Sequence, residues 1–399
     1  MTRGPELRFA GFSEEWEKET LGNLNKFSKG KGYSKNDLSD DGYQIFLYGQ
    51  MYTDYQMQVN ELNTHVKTLK KNSVLSNGNE VLIPSSGETA LDLARASHMN
   101  ISDVILGGDL NILIPCEKIL PHFEALTLST EKNRKNLSTL AQGKSVVHLY
   151  GTDIKTDVIS YPDINEQEKI GDLFSKIDQL IESQQELVDQ TMAFKKSMLQ
   201  KMFPKKDSLA SEFRFDGFKE HWNVKKLGDF LEEYKIKTTI ENEYDMLSST
   251  NMGVTDRDRN LGTASNIGYK VLEINDLVLS PQNLWLGNIN INNFKKGIVS
   301  PSYYTFKINN LNLEFFKPQL KTKRMLENYK NASMQGASVV RRNLEINEFY
   351  DIKLKVPTLE EQEKIGDFFK KLDEKIAKEE KLLDAYKDMK KSLLQKMFV

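Results

Sequence analysis

The chain repeats its own plan, and this duplication restricts its fold more than any other feature. The phrase NEQEKIGDLF from Asn165 returns as EEQEKIGDFF from Glu360, and KKSMLQKMF from Lys195 returns as KKSLLQKMF from Lys390, in both cases 195 residues later. A period this long exceeds the roughly 20–50 residues of a solenoid unit, and it predicts two copies of one domain plan with pseudo-twofold symmetry. The openings of the two copies also correspond: Arg8, Phe9, Gly11, Phe12, Trp16, Leu21 and Gly22 match Arg214, Phe215, Gly217, Phe218, Trp222, Leu227 and Gly228.

Each repeated phrase predicts a long helix, over residues 163–204 and 358–399. Apolar residues recur there at heptad spacing, and Asp163 and Thr358, each just after a proline, stand three residues before a glutamate, as in a capping box. Roughly 38 residues at 1.5 Å each give a rod of about 55 Å. The stripe of one helix needs a partner and the other copy supplies it, although a plain dimerisation coiled coil has the same pattern. The seam residues are Ile170, Ile177, Leu180 and Leu187 in the first helix, and Ile365, Leu372, Leu382 and Leu393 in the second.

The segments before the helices predict two α/β domains of mixed α+β type, over residues 1–162 and 205–357. NEVLIPSSG from Asn79 resembles NDLVLSPQN from Asn275, because in each an acidic residue precedes an apolar strand and a polar turn. The middles of these two domains are otherwise barely alike, whereas their frames are nearly identical. The fold class is therefore two variable domains joined by two long antiparallel coiled-coil helices.

Both middles contain residue types that could contact nucleic acid. Each ends in a locally basic segment followed by Gln-Gly and Ser-Val-Val, and such a surface could position phosphates, although a basic solvated helix face is the plain alternative. Polar side chains on predicted loops could read base edges. The candidates are Tyr48, Gln50, Lys67, Ser85, Ser86, Arg134, Lys135, Lys144 and His148 in the first middle, and Thr250, Asn251, Arg257, Arg259, Gln282, Asn283, Lys321, Lys323, Arg324, Arg341 and Arg342 in the second.

The sequence lacks the motifs of an enzyme. It has no GxGxxG, its Gly-Lys-Ser at Gly143 has Ser138 where a Walker A loop needs glycine, and its five histidines are scattered, so we predict no catalytic, cofactor or metal site. One cysteine and no apolar run of about 20 residues predict a cytoplasmic protein. The net charge of −2 argues against coating nucleic acid unaided.

The frame resembles that of the specificity (S) subunits of type I restriction-modification systems. The shared motifs are the P-x-x-x-E-Q-E-K-I start and K-K-S-L-L-Q-K-M-F end of each long helix, and the R-F-x-G-F-x-x-x-W openings. This resemblance implies a non-catalytic DNA-binding subunit whose two target recognition domains each read one half of a split, asymmetric site, with the paired helices setting the spacer.

The resemblance also implies partners. Two modification (M) subunits would use S-adenosylmethionine to methylate adenines, and restriction (R) subunits would use ATP and Mg for translocation and cleavage. Two other interpretations of the residues stay open. One is a coiled-coil adaptor with two protein-binding heads. The other is a self-sufficient DNA methyltransferase, which the absence of cofactor and catalytic motifs disfavours.

Overall fold

Two units of nearly equal size make up the chain. The computed structural model describes residues 4–143, 145–257, 265–335 and 342–399. Unit 1 contains residues 1–185 and 381–399, and unit 2 contains residues 186–380. The boundary cuts both long helices, so each unit owns the start of one helix and the end of the other.

The first half of the chain has fourteen described strands, most of them short, and a series of helices ending in a 39-residue helix. The strands are β1 (Glu17–Thr20), β2 (Asn25–Lys29), β3 (Leu38–Ser39), β4 (Tyr43–Phe46), β5 (Gln58–Val59), β6 (His65–Val66), β7 (Leu75–Asn77), β8 (Glu80–Pro84), β9 (Ser86–Gly87), β10 (Ser97–Met99), β11 (Ser102–Leu106), β12 (Leu110–Pro115), β13 (Val147–His148) and β14 (Val158–Tyr161). The helices are α1 (Leu21–Leu24), α2 (Gln50–Thr53), α3 (Ala90–Leu93), α4 (Pro121–Leu128), α5 (Glu131–Leu140), α6 (Gly151–Ile154) and α7 (Ile164–Met202), with a 3-10 helix at Lys35–Asp37.

Unit 1 stacks two five-stranded sheets, ordered β2-β12-β8-β10-β5 and β3-β6-β4-β11-β7. Strand β8 reads EVLIP because both of its faces are buried. Leu82 packs with Phe46 and Leu106 of the other sheet, whereas Val81 and Ile83 face the core that contains helix α4. The first sheet therefore lies between the second sheet and the helices.

The second half has twelve described strands and ends in a 38-residue helix. The strands are β15 (Asn223–Lys226), β16 (Leu231–Glu233), β17 (Leu247–Ser249), β18 (Val254–Asp256), β19 (Lys270–Leu272), β20 (Leu277–Leu279), β21 (Ile289–Ile291), β22 (Gly297–Val299), β23 (Tyr304–Ile308), β24 (Ser333–Gln335), β25 (Arg342–Leu344) and β26 (Lys353–Val356). The helices are α8 (Leu313–Phe316), α9 (Lys323–Asn331), α10 (Ile346–Tyr350) and α11 (Leu359–Lys396), with 3-10 helices at Leu227–Asp229, Leu284–Leu286 and Lys317–Gln319.

Unit 2 also has a central sheet with a hydrophobic core on each face, but fewer of its strands pair into one sheet. Its largest sheet has the order β16-β23-β20-β21 and is antiparallel throughout. In the central strand β20, Leu277 and Leu279 face the main core, while Val278 faces a smaller core with Leu247 and Val299. The similar phrases NEVLIP and NDLVLS thus form the central strand of each unit's core sheet.

In each unit the beginning of one long helix packs antiparallel against the end of the other. In unit 1, Ile170 and Phe174 of α7 share a core with Met397 and Phe398, which directly follow α11. In unit 2, Ile365 and Phe369 of α11 share a core with Met202 of α7, and Phe203 packs against it. The fold predicted from the repeat, with mixed α/β domains and two long antiparallel helices, is confirmed.

The cross-helix contacts repeat residue for residue. Lys390 forms an ion pair with Asp178 in unit 1, and Lys195 forms one with Asp373 in unit 2. Phe398 lies 6.1 Å from Trp16 between ring centroids, and Phe203 lies 6.0 Å from Trp222. The repeated words KKSxLQKMF therefore make the same helix contacts twice.

The repeated segments NEQEKI and EEQEKI contain the glutamates that bind each domain to its long helix. Glu166 is fully buried and accepts two 2.7 Å hydrogen bonds from Arg8, and Glu361 accepts bonds of 2.8 and 2.7 Å from Arg214. In the predicted capping boxes, the Asp163 and Thr358 side chains do accept from the glutamate backbone N–H groups, at 3.3 and 3.4 Å. The glutamate carboxylates, however, pair with arginine in both copies.

The glutamine that follows this glutamate in each repeat forms hydrogen bonds within its own domain. Gln167 accepts the Leu120 backbone N–H at 2.8 Å and donates to the Pro162 carbonyl at 2.8 Å. Gln362 accepts the Asn312 N–H at 3.0 Å and donates to the Pro357 carbonyl at 3.0 Å. Because both amides are buried, each phrase fixes the loop before a core helix of its own domain.

Candidate nucleic-acid interface

In unit 1, the structure brings together three of the predicted contact residues. Strands β9 and β13 pair Ser86 with His148, and the Ser85 carbonyl accepts the backbone N–H of Leu149 at 3.0 Å. The His148 ring stacks on Tyr150, with centroids 6.0 Å apart. Half-buried hydroxyl and imidazole groups therefore share one edge of the unit.

A tyrosine pair lies beside this edge. The Tyr52 hydroxyl donates to the Ser86 carbonyl at 2.9 Å, and its ring meets Tyr48 edge-on at 6.2 Å. Burial raises the pKa of Tyr52 to about 12, so this phenol remains a neutral donor at physiological pH. Tyr48 is half-buried against the core between the two sheets.

The remaining described unit 1 candidates have other positions, and some have internal partners. Gln50 accepts the Leu47 N–H at 2.8 Å, and Arg134 donates to the carbonyls of Ala94 and Leu91 at 2.8 and 3.1 Å, so both help to hold the fold. Lys67 is an exposed residue paired with Asp41 at 2.7 Å. Lys135 is exposed on helix α5.

In unit 2, Lys321 organises the hairpin between β17 and β18. Its ammonium donates to the Asn251 carbonyl at 2.8 Å and to Asn290 Oδ1 at 2.7 Å, and burial lowers its pKa. Asn290 in turn donates to the Thr250 carbonyl at 2.8 Å. Thr250 and Asn251 are exposed at the tip, and the Met252 side chain beside them is 94% exposed. The hairpin therefore presents polar and apolar groups on a fixed backbone.

A second group in unit 2 lines a cavity of about 360 Å³. Arg342 donates its backbone N–H to the Gln282 carbonyl at 3.3 Å, and both residues line the cavity. Asn283 starts the 3-10 helix beside it. Lys235 and Lys270, which the sequence analysis did not select, line the same cavity. No local motif distinguishes these two lysines, since only folding brings them beside Arg342.

The other unit 2 candidates have separate positions. Arg324 is half-buried and donates to the Pro204 carbonyl at 3.4 Å, and Lys323 is exposed beside it on helix α9. Arg257 is half-buried after β18, where its backbone N–H binds the Met246 carbonyl at 2.9 Å. Three further candidates lie outside the described residues: Lys144, Arg259 and Arg341.

The seam residues of the long helices differ in burial. Ile170, Ile177 and Ile365 are buried in the unit cores, and Leu372 and Leu393 pack against those cores. Leu180 and Leu382, nearer the middle of each helix, are 46% and 39% exposed. Leu187 is half-buried.

No group of three or more His, Cys, Asp or Glu side chains in the described ranges could hold a metal ion. Among the described helices, none is long and apolar enough to cross a lipid bilayer.

The fold is shared with solved structures of the type I restriction-modification machinery. The crystal structure of the S subunit of a type I restriction-modification system from M. genitalium has a TM-score of 0.66 at 17% identity, covering 100% of this chain and 99% of that one. A chain from a structural study of complex assembly and conformational transition of the type I R-M system has a TM-score of 0.55 at 14% identity, covering 97% of this chain and 98% of that one.

The sequence itself matches a family in both halves. The type I restriction modification DNA specificity domain matches residues 13–190 and again residues 219–385. Each match contains one domain of the repeat and much of the long helix that follows it. Since the two matches together cover most of the chain, the chain belongs to the type I restriction-modification DNA specificity family.

Proposed function

We propose that each unit reads one half of a bipartite, asymmetric DNA target, and that the long helices set the spacer and dock the methyltransferase subunits. One observation carries this proposal: an identical docking frame holds two dissimilar domains. Arg8–Glu166 and Arg214–Glu361 anchor the domains in the same way, yet unit 1 has two five-stranded sheets and unit 2 has one sheet of four strands with several pairs. Two different domains, each attached to its long helix by the same Arg–Glu contact, suit two different half-sites.

The chemistry belongs, in this proposal, to partner subunits. Two modification subunits bring S-adenosylmethionine and flip adenines for N6-methylation, and restriction subunits bring ATP and Mg for translocation and cleavage. Support comes from the similar chain of the type I R-M system, whose study concerns complex assembly. The chain itself is then a non-catalytic subunit that binds double-stranded DNA in the cytoplasm.

The charge of the chain fits a shared clamp on DNA. A net charge of −2 is low for a protein that must neutralise many phosphates alone. Partner subunits then contribute part of the phosphate contact. The salt dependence of DNA binding by the isolated chain is accordingly shallower than that of the whole complex.

The candidate contact residues divide by position within this proposal. Ser85, Ser86 and His148 form the reading edge of unit 1, and Thr250 and Asn251 form that of unit 2, whereas Gln282 and Arg342 line the cavity of about 360 Å³. Gln50, Arg134 and Lys321 act by holding loops, since their polar atoms bind carbonyls or amides of the same unit. Exposed lysines such as Lys67, Lys135 and Lys323 add charge without base reading.

A domain exchange tests the proposal. Residues 20–160 are replaced by the matching segment of another specificity chain, and the methylated motif is mapped by sequencing in a host that supplies the methyltransferase. We expect one half-site to change while the other half-site and the spacer persist. Exchange of residues 225–356 is the matched control and should change the opposite half only. A change in both half-sites from one exchange would refute the modular reading.

The helices have a separate test. Insertion of one heptad into each long helix lengthens it by about 10 Å, which equals about three base pairs of DNA. The mapped motif should keep both half-sites and gain about three base pairs of spacer. An unchanged spacer in a folded, active variant would show that the helices do not set it.

A further inference from the structure

The cavity of unit 2 that contains Arg342 is strongly cationic. It measures about 360 Å³ and lies among the ends of strands β16, β19, β23 and β25. Among its charged lining residues, only Glu233 is acidic, and that carboxylate already pairs with Lys235 at 3.1 Å. The polar lining consists mainly of donors: Lys235, Lys270, Gln282, Ser302, Arg342 and Asn343.

Lys270 is a buried cation whose observed partner is neutral. The residue is 6% exposed, its ammonium donates to the Tyr303 carbonyl, and it lies 5.4 Å from the centroid of the Tyr304 ring. No carboxylate in the described ranges comes within ion-pair distance of it. Burial lowers the pKa of Lys270, and the charges of Lys235 and Lys237 lower it further, against the opposing effect of Glu233. An ammonium in this setting is stabilised by an anion in the adjacent space.

Arg342 also has a polar atom that lacks a partner among the described residues. Its guanidinium donates to the carbonyls of Ser333 and Lys330 at 2.6 and 3.4 Å, and its buried Nε has no acceptor among the described residues. The backbone N–H of the same residue donates to the Gln282 carbonyl, and Arg342 is one of the residues that line the cavity. A planar guanidinium with an unused N–H suits an oxyanion such as phosphate.

We propose that this cavity holds a backbone phosphate of the bound DNA, with Lys270 and Arg342 as its charged ligands and Ser302 and Gln282 as neutral donors. The inference rests on the proposed function and deepens it, because it assigns a phosphate-positioning site to unit 2. Such a contact fixes the register of the domain on the duplex and carries no base information. Lys270 is therefore a positioning residue, distinct from the base-reading edge.

The decisive variant is Lys270→Met, which keeps an unbranched side chain one atom shorter and removes its charge. It is measured in the full chain assembled with its methyltransferase, on a duplex with the mapped target, over a series of KCl concentrations. Loss of one phosphate contact should reduce the slope of log K against log salt by about 0.9. Affinity should fall about 10-fold, as for loss of a charged hydrogen bond, while the methylated motif stays the same.

Lys296→Met is the matched control. Lys296 lies in the same unit outside the cavity lining, where it pairs with Glu273 at 2.8 Å, and its loss changes the net charge equally. The salt slope of this variant should remain that of the wild type. Equal flattening by both variants would overturn the site, because it would reveal a general charge effect.

A second variant keeps the test valid if Lys270→Met does not fold. Ser302→Asp places a carboxylate at the cavity, where it can neutralise the cations. We expect a higher melting temperature together with weaker DNA binding. Unchanged DNA binding by a folded Ser302→Asp or Lys270→Met complex overturns the phosphate site.

The remaining outcomes separate the inference from the proposed function. If the wild-type complex binds no duplex and directs no methylation, the proposed function fails. If Lys270→Met instead loses the methyltransferase while keeping the wild-type salt slope, the cavity receives a protein carboxylate and the phosphate assignment is wrong.

Discussion

Removal of Arg214 should destabilise unit 2 strongly. Its guanidinium makes two hydrogen bonds, at 2.8 and 2.7 Å, to a Glu361 carboxylate that is 1% exposed. In Arg214→Met that carboxylate stays buried without its cation. Breaking a buried pair in this way costs about 3–5 kcal/mol. The cost is large compared with the total stability of about 5–15 kcal/mol that is typical of a domain.

The double variant Arg214→Met/Glu361→Met separates the pair from the burial of a lone charge. Replacing a whole buried ion pair with apolar side chains of similar size is often neutral or stabilising. The double variant should therefore recover most of the stability lost in Arg214→Met. The resulting coupling energy should be at least about 2 kcal/mol.

Hydrogen exchange measured by mass spectrometry is the appropriate assay because it reports on each unit separately. Arg214→Met should increase hydrogen exchange in peptides of residues 186–380 and leave the exchange of unit 1 peptides unchanged. Arg8→Met is the matched control, since Arg8 makes the same bidentate contact with buried Glu166 in unit 1. Additive effects of the two substitutions at Arg214 and Glu361 would refute the reasoning, as would a loss of stability confined to unit 1.

Three further predictions concern individual contacts. Burial raises the pKa of Glu124 to about 8, so its stabilising contribution is present in acid and is lost as pH rises from about 4.5 to 8; in urea titrations Glu124→Gln should therefore stabilise unit 1 by a few kcal/mol more at pH 8.5 than at pH 5, and a pH-independent effect would contradict this. A Cβ at Gly366 would lie 2.7 Å from Asn312 Oδ1 and 2.9 Å from the Phe315 backbone N, whereas one at Gly171 would meet only the His122 ring, at 3.3 Å. Gly366→Ala should thus cost about 1–3 kcal/mol while Gly171→Ala is nearly neutral, and equal effects on melting temperature would show that the close approach is unimportant. The Lys355 ammonium binds the carbonyls of residues 205, 206 and 208 at 2.6–2.7 Å, so Lys355→Met should expose that connection to limited proteolysis, and unchanged cleavage would count against this.

The repeated frame was predictable because its signal is local. The helix starts expected at residues 163 and 358 lie one residue from the observed starts of α7 and α11. The family suggested by the same frame is confirmed by both halves of the chain, which removes the adaptor alternative. The matching Arg8 and Arg214 were visible as repeat positions. Their ion pairs were not, because each partner lies about 150 residues further along the chain.

The contact surfaces were harder to predict, since the role of a polar residue depends on where the fold directs it. Gln50 looked like a base-reading amide, yet its oxygen binds the Leu47 N–H. Lys270 was not selected from the sequence, yet it is 6% exposed beside a cationic cavity. Neither position has a local motif, and both depend on contacts between distant strands.

The central claim is that this chain determines which DNA sequence a partner methyltransferase modifies. The most direct test is a genome-wide map of N6-methyladenine in a host with the partner methyltransferase, with and without this chain. We predict that a split motif with methylated adenines in both halves appears only when the chain is present. An identical methylome in both hosts, with the methyltransferase shown to be expressed and active, would contradict the account.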